Sequence, residues 1–113
     1  MTYADIHWAV LPDRGGHEQR GRRPVIIWQD TVGFPGLPTI LVIPLTSRLD
    51  TLRFPGTLLV QPTALNALQS ASVALVFQLG ASDIRRIERR IGKLDDADLL
   101  RIQALARRLQ ALP

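Results

Sequence analysis

The chain has 113 residues, which is enough for one domain around a single hydrophobic core without disulfides or metal ions as supports. With 46% hydrophobic and 21% charged residues the composition excludes a disordered tail, and the absence of cysteine excludes disulfides and thiolate metal ligands. The formal net charge is +4, and every basic side chain other than histidine is arginine except Lys93, which favours bidentate contacts with phosphate or carboxylate groups. RNA and an acidic protein partner fit this charge equally well.

The amino terminus has no basic segment followed by an apolar one, and no apolar run approaches the roughly 20 residues of a membrane span. We therefore expect a soluble, cytoplasmic protein with no membrane role. His7 and His17 lack a neighbouring set of His, Asp or Glu at ligand spacing, so no metal ion or other cofactor is expected.

The first half of the chain alternates between short strands and turns. Weak alternation predicts a strand from Asp5 to Val10, ended by the turn chemistry of Pro12 to Gly16. A second strand is predicted from Val25 to Gln29. Two glycines and two prolines within residues 32–38 predict an exposed loop, and the continuous apolar run from Thr39 to Leu45 predicts a buried strand.

The middle of the chain continues in the same manner. Residues 47–54 are polar and carry arginines, and Pro55-Gly56 turns the chain into a predicted strand from Thr57 to Val60. Residues 62–69 are interpreted as a short helical turn, and Val73 to Leu79 as a further strand.

The last third of the chain is ambiguous before its final helix. Periodicity over residues 83–94 predicts one helix, although Gly92 weakens a helix interior. The final helix is clearer, because Asp95 is a suitable cap and one apolar stripe follows it. This stripe consists of Leu99, Ile102, Leu105, Ala106, Leu109 and Leu112. We expect it to pack on the sheet.

Many short strands, frequent turns and one terminal helix predict the fold class. We expect a mainly β protein with α additions, namely a small SH3-like antiparallel barrel with a carboxyl-terminal amphipathic helix. Residues 1–113 are expected to form a single domain.

An arginine-rich segment precedes the second predicted strand. His17, Glu18, Gln19 and Arg20 lead into Gly21, Arg22, Arg23 and Pro24, and Pro24 restricts Arg23 to an extended backbone. Loops on a rigid sheet often carry binding groups, and guanidinium groups suit phosphate. The segment therefore indicates a phosphate site, although a solvated loop in a basic chain has the same composition.

Three stretches carry a family resemblance. Residues 16–27, GHEQRGRRPVII, resemble the G-S-E-Q-x-G-x-R-P-V-(V/I)-(V/I) signature of the MazF/PemK family of toxin endoribonucleases, with His17 in place of the usual serine. Thr39 to Ser47 resembles the family strand that ends in Pro/Ala-(I/L)-Thr-(S/T), and Ser72 to Leu79 resembles its D-S-(V/A)-(V/I)-L-x-(D/E)-Q strand. The order and spacing of the three stretches fit, and the resemblance covers essentially the whole chain.

The resemblance implies a MazF/CcdB-type barrel, a symmetric homodimer and an endoribonuclease toxin of a type II toxin–antitoxin system. Such a toxin would cleave single-stranded RNA without a metal ion, by attack of the ribose 2′-hydroxyl on the phosphodiester. By match to the family motifs, Arg23 and Thr46 would be catalytic. The expected substrate-binding residues are His17, Glu18, Gln19, Arg20, Arg22, Ser47, Arg48 and Gln78. For residues 83–94 the resemblance implies a short helix at 83–87 followed by a strand through 90–93. We favour this interpretation over one long helix, because Gly92 weakens a helix interior.

Several assignments stay open at this point. Arginine is a poor base, so Glu18 or His17 is the alternative proton acceptor. Trp8 and Trp28 could stack on bases, but their apolar strands favour core packing. An acidic antitoxin is the expected partner and should share Arg22, Arg23 and Arg48 with RNA.

Two other functions remain possible, one of them because the chain departs from the family pattern. Gly80 stands where the family has Arg, Phe77 replaces an acidic residue, Ala71 replaces Asp, and Ala4 replaces Gly. A non-catalytic RNA-binding or protein-binding module of the same fold therefore remains an alternative. The second alternative is a CcdB-like toxin directed at gyrase.

Overall fold

The structure is a computed structural model that describes residues 1–12 and 21–111. In these residues the chain forms seven strands, three short 3-10 turns and one α-helix. The turns span Leu49–Arg53, Val76–Gln78 and Ile84–Arg86. The strands are β1 Asp5–Leu11, β2 Gly21–Ile27, β3 Thr39–Thr46, β4 Thr57–Val60, β5 Ser72–Leu75, β6 Gly80–Asp83 and β7 Ile87–Lys93, and the helix is α1 Asp96–Leu109.

Antiparallel pairing joins the strands into one curved, barrel-like sheet in the order β4-β5-β3-β2-β1-β7, with β6 also paired to β3. The pairing is divided along β3, because its first half pairs with β6 and its last residues, Leu45 and Thr46, pair with β5. Among the described residues the path ends at β4 and β7, so hydrogen bonds do not close the barrel. The predicted mainly antiparallel β fold with a carboxyl-terminal helix is confirmed.

Strand alternation divides the buried residues between the two faces of the sheet. On one face Ile6, Ile26 and Ile43 pack with Ile102 and Ala106 of α1. On the other face Ala9, Val25 and Ile40 belong to a second cluster. Since side chains alternate along each strand, both clusters are encoded by the same apolar runs.

The helix packs through the predicted stripe and starts after Asp95 as expected. Ile102 and Ala106 are buried, while Leu109 is exposed and Leu112 lies outside the described residues. Asp95 occupies the cap position, but its side chain makes no capping hydrogen bond. Its carboxylate instead accepts a 2.6 Å hydrogen bond from the Thr63 hydroxyl, which fixes the loop before β5 against the helix start.

Two predicted strands have different limits in the structure. β2 begins at Gly21 rather than Val25, because its pairing with β1 continues to Leu11 opposite Gly21. Gly21 has φ +78°, a left-handed conformation that glycine adopts without strain. Arg22 and Arg23 therefore lie in a strand and not in the preceding loop.

The predicted strand from Val73 to Leu79 is wrong in its second half. It ends at Leu75, the chain turns through Val76–Gln78, and β6 starts at Gly80. The turn lets the chain leave one half of β3 and pair with the other half.

The predicted helical turn at 62–69 is reduced to one turn, in which the Ala67 N–H donates to the Thr63 carbonyl at 3.0 Å.

In residues 83–94 the interpretation with a short helix and a strand is confirmed over one long helix. Asp83 accepts from the Arg85 N–H at the start of the 3-10 turn, and β7 follows at once. The Arg85 side chain also donates to this carboxylate, which lowers the pKa of Asp83 to about 2.

Ala4, where the family pattern has glycine, has φ +72° and a buried methyl group, so core burial offsets part of the backbone strain.

Gly92 packs against the backbone of the loop before β5. A Cβ atom at this position would lie 2.5 Å from the Asn66 carbonyl oxygen and 2.6 Å from that of Leu65. The Lys93 N–H donates to the same Leu65 carbonyl at 3.1 Å. No side chain larger than hydrogen fits unless β7 and this loop move apart.

We predict that Gly92→Ala lowers the free energy of unfolding by about 1–3 kcal/mol, because the added methyl group overpacks a backbone contact. Urea denaturation monitored by circular dichroism measures the change. Gly33→Ala is the matched control, since a Cβ at Gly33 meets nothing within 4 Å. Equal stability of the two variants would contradict the prediction.

Candidate functional site

A cleft of about 470 Å³ opens where β1, β2, β3 and β7 meet the loop before β5. Arg22, Arg23 and Pro24 of β2 form one wall, and Thr46 and Ser47 lie at the end of β3. The remaining lining residues are Trp8, Leu45, Ala67, Leu68, Gln69, Ser70, Ser72, Arg89, Arg90 and Ile91. The cleft therefore collects groups that are far apart in sequence.

The charge of the cleft has one sign. Among the described residues that line it, the ionisable side chains are Arg22, Arg23, Arg89 and Arg90, with no carboxylate. Arg90 is balanced from outside the cleft, since its Nε lies 3.1 Å from Oδ2 of the buried Asp5. A concave surface lined by guanidinium groups favours a phosphate or carboxylate ligand.

Arg23 has an unusual feature. Its backbone lies opposite Ala9 in the β1–β2 pair, and its side chain is half-buried. Its Nε atom is buried, and no hydrogen-bond acceptor for it exists within residues 1–12 and 21–111. A buried donor of a charged group without a partner is unfavourable, so this atom is suited to an acceptor supplied by a ligand.

Thr46 is the last residue of β3 and is only 2% exposed. Its Oγ1 atom accepts the Arg48 N–H at 3.2 Å, which uses the oxygen as an acceptor and leaves the hydroxyl proton available. The hydroxyl can therefore donate to a ligand in the cleft. Arg23 and Thr46, predicted together from the motifs, line the same cleft.

The other predicted binding residues divide into three groups. Arg22 and Ser47 line the cleft. Arg48 does not line it, and its guanidinium lies 3.6 Å from the Asp50 carboxylate. Gln78 ends the Val76–Gln78 turn and is not part of the lining either. His17, Glu18, Gln19 and Arg20 lie outside the described residues.

Among the lining residues that were not predicted as binding groups, Trp8, Arg89 and Arg90 have side chains that could bind a ligand. Trp8 was expected in the core, but its half-buried ring lines the cleft, and the Cζ of Arg22 lies over it, 4.2 Å from the ring centroid. Trp28 does pack against the core, beside Tyr3. Arg89 and Arg90 belong to an arginine-rich run. The arginines of this run that face the cleft are determined by register shifts in the β1–β7 pairing. The sequence does not reveal these shifts.

The wall opposite β2 depends on Asn66, which is completely buried. Its Oδ1 accepts from the Thr63 N–H at 2.9 Å and the Leu68 N–H at 3.0 Å, and its Nδ2 donates to the Gln61 carbonyl at 2.9 Å. This side chain therefore determines the shape of the loop that supplies Ala67 to Ser72.

In the described ranges no cluster of three or more His, Asp or Glu side chains is placed to hold a metal ion. Within the same ranges, no helix has the length and apolar character needed to cross a membrane.

The fold and the cleft together define a class of protein: a small antiparallel β domain whose arginine-lined cleft suits phosphorylated or acidic ligands. The profile of the family described as PemK-like, MazF-like toxin of type II toxin–antitoxin system matches residues 3–110. The chain belongs to this family. Its predicted membership of the MazF/PemK toxins is confirmed.

Individual relatives agree with this assignment. The chain is 30% identical over 96 residues to the endoribonuclease MazF of Staphylococcus saprophyticus, a match that covers 85% of this chain and 79% of that protein. It also superposes on the crystal structure of MazF from Deinococcus radiodurans with a TM-score of 0.80 at 21% identity, covering 99% of this chain and 97% of the other. For the Mycobacterium tuberculosis toxin MazF-mt6 the TM-score is 0.75 at 23% identity, with 96% and 98% covered. These structural likenesses extend the agreement to the fold.

We predict that Asn66→Ala lowers the free energy of unfolding by about 1–3 kcal/mol, because it removes the partner of the buried Leu68 N–H and of the partly buried Thr63 N–H and Gln61 carbonyl. Thermal or urea unfolding measures the loss. Gln69→Ala, in the same loop but exposed, is the control and should change stability little. A stable Asn66→Ala protein would mean that the loop holds its shape without this side chain.

Proposed function

We propose that this endoribonuclease toxin cleaves single-stranded RNA in the arginine-lined cleft, with Arg23 and Thr46 on the reacting phosphate. The observation that carries the proposal is the buried Arg23 Nε, which lacks an acceptor within the described residues. A phosphate oxygen is a fitting acceptor, because guanidinium–phosphate hydrogen bonds are charge-assisted. Thr46 lines the same cleft with a hydroxyl proton to donate.

The proposed reaction needs a proton acceptor, a proton donor and fixed positive charge. The ribose 2′-oxygen loses its proton and bonds to the adjacent phosphorus, and the bond from phosphorus to the 5′-oxygen breaks as that oxygen gains a proton. The products are a 2′,3′-cyclic phosphate and a 5′-hydroxyl. Negative charge grows on the non-bridging oxygens in the transition state, where Arg23 and Thr46 would donate. In this proposal the fixed charge of the arginines takes the role that a metal ion has in other nucleases.

The proton acceptor is proposed from the segment before β2. Arginine keeps its proton in almost every protein environment, so Arg23 serves as a charge and not as a base. His17 and Glu18 are the candidates, and both lie outside the described residues. A loss of activity with a changed pH profile in His17→Ala, but not in Glu18→Gln, would select the histidine.

We also propose that the toxin acts in the cytoplasm as a homodimer, as the family resemblance implies. Leu41, Phe77 and Leu109 leave apolar side chains exposed around a second, shallow groove, which gives one chain apolar surface that a second copy would bury. Sedimentation equilibrium should return twice the mass of one chain. A monomer at all accessible concentrations would contradict this part of the proposal.

Arg23→Ala should lower the RNA cleavage rate by about 10²–10³-fold, the loss typical of one transition-state donor. Cleavage of a mixed-sequence RNA by purified protein in EDTA measures the rate. Thr46→Val should lose less, and Thr46→Ser should keep most activity because it retains the hydroxyl.

The control for Arg23→Ala is Arg107→Ala, which removes an exposed arginine of α1 far along the chain from the cleft residues. Cleavage by Arg23→Ala within tenfold of the unaltered protein would remove Arg23 from the catalytic group. Absence of cleavage by the unaltered protein would favour the non-catalytic module. Inhibition of DNA supercoiling without RNA cleavage would favour the gyrase-directed alternative.

An acidic antitoxin segment is the proposed partner of the cleft. Similar folds include a MazE–MazF complex from Deinococcus radiodurans, with a TM-score of 0.76 at 21% identity, covering 100% of this chain and 97% of the other. A segment bearing carboxylates could satisfy Arg23 and Arg89, the same groups that would bind RNA phosphates. The groove between β2 and the Thr46–Arg53 segment is the proposed path.

We predict that antitoxin and RNA displace each other, and that antitoxin affinity falls as salt rises because ions screen exposed charges over about 8 Å at physiological ionic strength. Part of the affinity should survive through apolar contacts. A competition titration at two salt concentrations with labelled 2′-O-methyl RNA, which lacks the nucleophile and stays intact, measures both effects on the Arg107→Ala control and on Arg89→Ala. Simultaneous binding without mutual displacement would place the inhibitor on another surface.

A further inference from the structure

Trp8, Arg22 and Glu88 form a connected group at the mouth of the cleft. They come from β1, β2 and β7, and β1 lies between the other two strands. The Arg22 Cζ lies 4.2 Å from the centroid of the Trp8 ring, and the Arg22 Nε donates to Glu88 Oε1 at 2.8 Å. The His7 Nδ1–H donates to the Glu88 backbone carbonyl at 2.8 Å, which fixes the strand that carries the carboxylate. The guanidinium is thus held both by a ring and by a carboxylate.

This geometry makes Arg22 a poor phosphate ligand. Glu88 compensates its charge at 2.8 Å, and a phosphate approaching Arg22 would also approach the carboxylate. Arg23 and Arg89 line the same cleft, and neither pairs with a carboxylate among the described residues. The phosphates of a bound RNA would therefore be drawn to those arginines rather than to Arg22.

The same geometry suits a nucleobase. A guanidinium group is flat and polarisable, and the bases of single-stranded RNA stack on such planes as well as on aromatic rings. The Arg22 side chain remains 47% exposed and lines the cleft, so part of it is accessible to a ligand even though Trp8 covers another part. Because Trp8 and Glu88 already restrict its motion, little conformational entropy would be lost when a base binds.

We propose that Trp8, Arg22 and Glu88 form a stacking platform that holds one base of the RNA beside the reacting phosphate and contributes to sequence preference. The inference rests on the proposed function and adds a base-binding subsite to it. Purines offer the larger surface for stacking, so the platform should favour a purine at the position that it contacts. Glu88 is a positioning residue, since it would act through Arg22 and not by touching the base.

The test separates stacking from charge. RNA oligonucleotides with 2′-O-methyl groups lack the nucleophile and stay intact, so binding to the unaltered protein can be measured directly. Each base in turn is replaced by an abasic site, which keeps every phosphate. One position should weaken binding by roughly tenfold or more in the unaltered protein. Arg22→Lys keeps the charge and loses the planar guanidinium, so it should bind the complete RNA as weakly as the unaltered protein binds the abasic RNA. Removing that base should cause no further loss of affinity in this variant.

Two further variants test the support of the plane. Trp8→Leu removes the ring beneath Arg22, and Glu88→Gln removes the charge that holds it, so both should reduce the loss seen at the same abasic position. Unfolding curves of all variants establish whether the fold is retained.

Arg89→Lys is the matched control, an arginine of the same cleft with no ring contact among the described residues. Its substitution should not alter the loss at any abasic position. If Arg22→Lys binds as tightly as the unaltered protein and shows the same abasic losses, the platform is overturned and Arg22 acts as a charge. If the unaltered protein cleaves RNA but no position depends on Arg22, the platform alone fails. An unaltered protein that neither cleaves nor binds RNA overturns the proposed function as well.

Discussion

The antiparallel pairing of β1 with β2 is the constraint on which the site depends. It runs from Ile6 opposite Ile26 to Leu11 opposite Gly21, and it keeps Arg22 and Arg23 in the strand. Their backbones are thus fixed by sheet hydrogen bonds and by the core beneath Val25 and Ile26. A guanidinium that starts from a rigid strand needs less reorganisation to meet a ligand than one on a free loop. The pairing of β1 with β7 on its other side brings Arg89 and Arg90 to the same cleft and places Glu88 beside Arg22 at its mouth.

The positive charge of the chain is distributed unevenly. Several arginines form ion pairs with carboxylates: Arg85 with Asp83, Arg90 with Asp5, Arg101 with Asp98 and Arg22 with Glu88. Arg23 and Arg89 line the cleft without such a pair in the described part of the chain. The surplus of arginine that the composition shows is therefore concentrated, in part, at the cleft. Net charge alone indicated an anionic ligand, whereas the pairing pattern indicates where it would bind.

Local patterns were sufficient to predict most of the fold. The alternation of β1, the apolar run of β3 and the stripe of α1 each reflect burial on one face, which residue type reports directly. The break after Leu75 was missed because the apolar run continues through it, from Val73 to Phe77. Only the change of partner, from one half of β3 to the other, requires a turn there. The early start of β2 was missed for the same reason, since strand pairing and not composition decides it.

For the site, the sequence predicted Arg23 and Thr46 through motifs, and the structure brings both to one cleft. For Trp8 the sequence allowed stacking on bases but favoured the core, because a tryptophan in an apolar strand is usually packed there. The position of Arg89 and Arg90 depends on two register shifts in the β1–β7 pair, which no sequence pattern reports. The buried carboxylate of Asp5 was likewise unremarkable in sequence, although it pairs with Arg90 in the fold.

The buried Arg23 Nε, for which the described residues supply no acceptor, links stability to the proposed activity. A buried donor without an acceptor destabilises a folded protein by about 1–3 kcal/mol, so its retention needs a compensating use. An acceptor oxygen from an RNA phosphate or from an acidic antitoxin would remove that penalty in the same way. RNA and antitoxin would then be recognised by the same unsatisfied donor, Arg23 Nε. The Trp8–Arg22–Glu88 group would distinguish them, because only RNA carries a base that can stack on it. Affinity and discrimination would reside in adjacent residues of β2, with Arg23 providing the first and Arg22 the second.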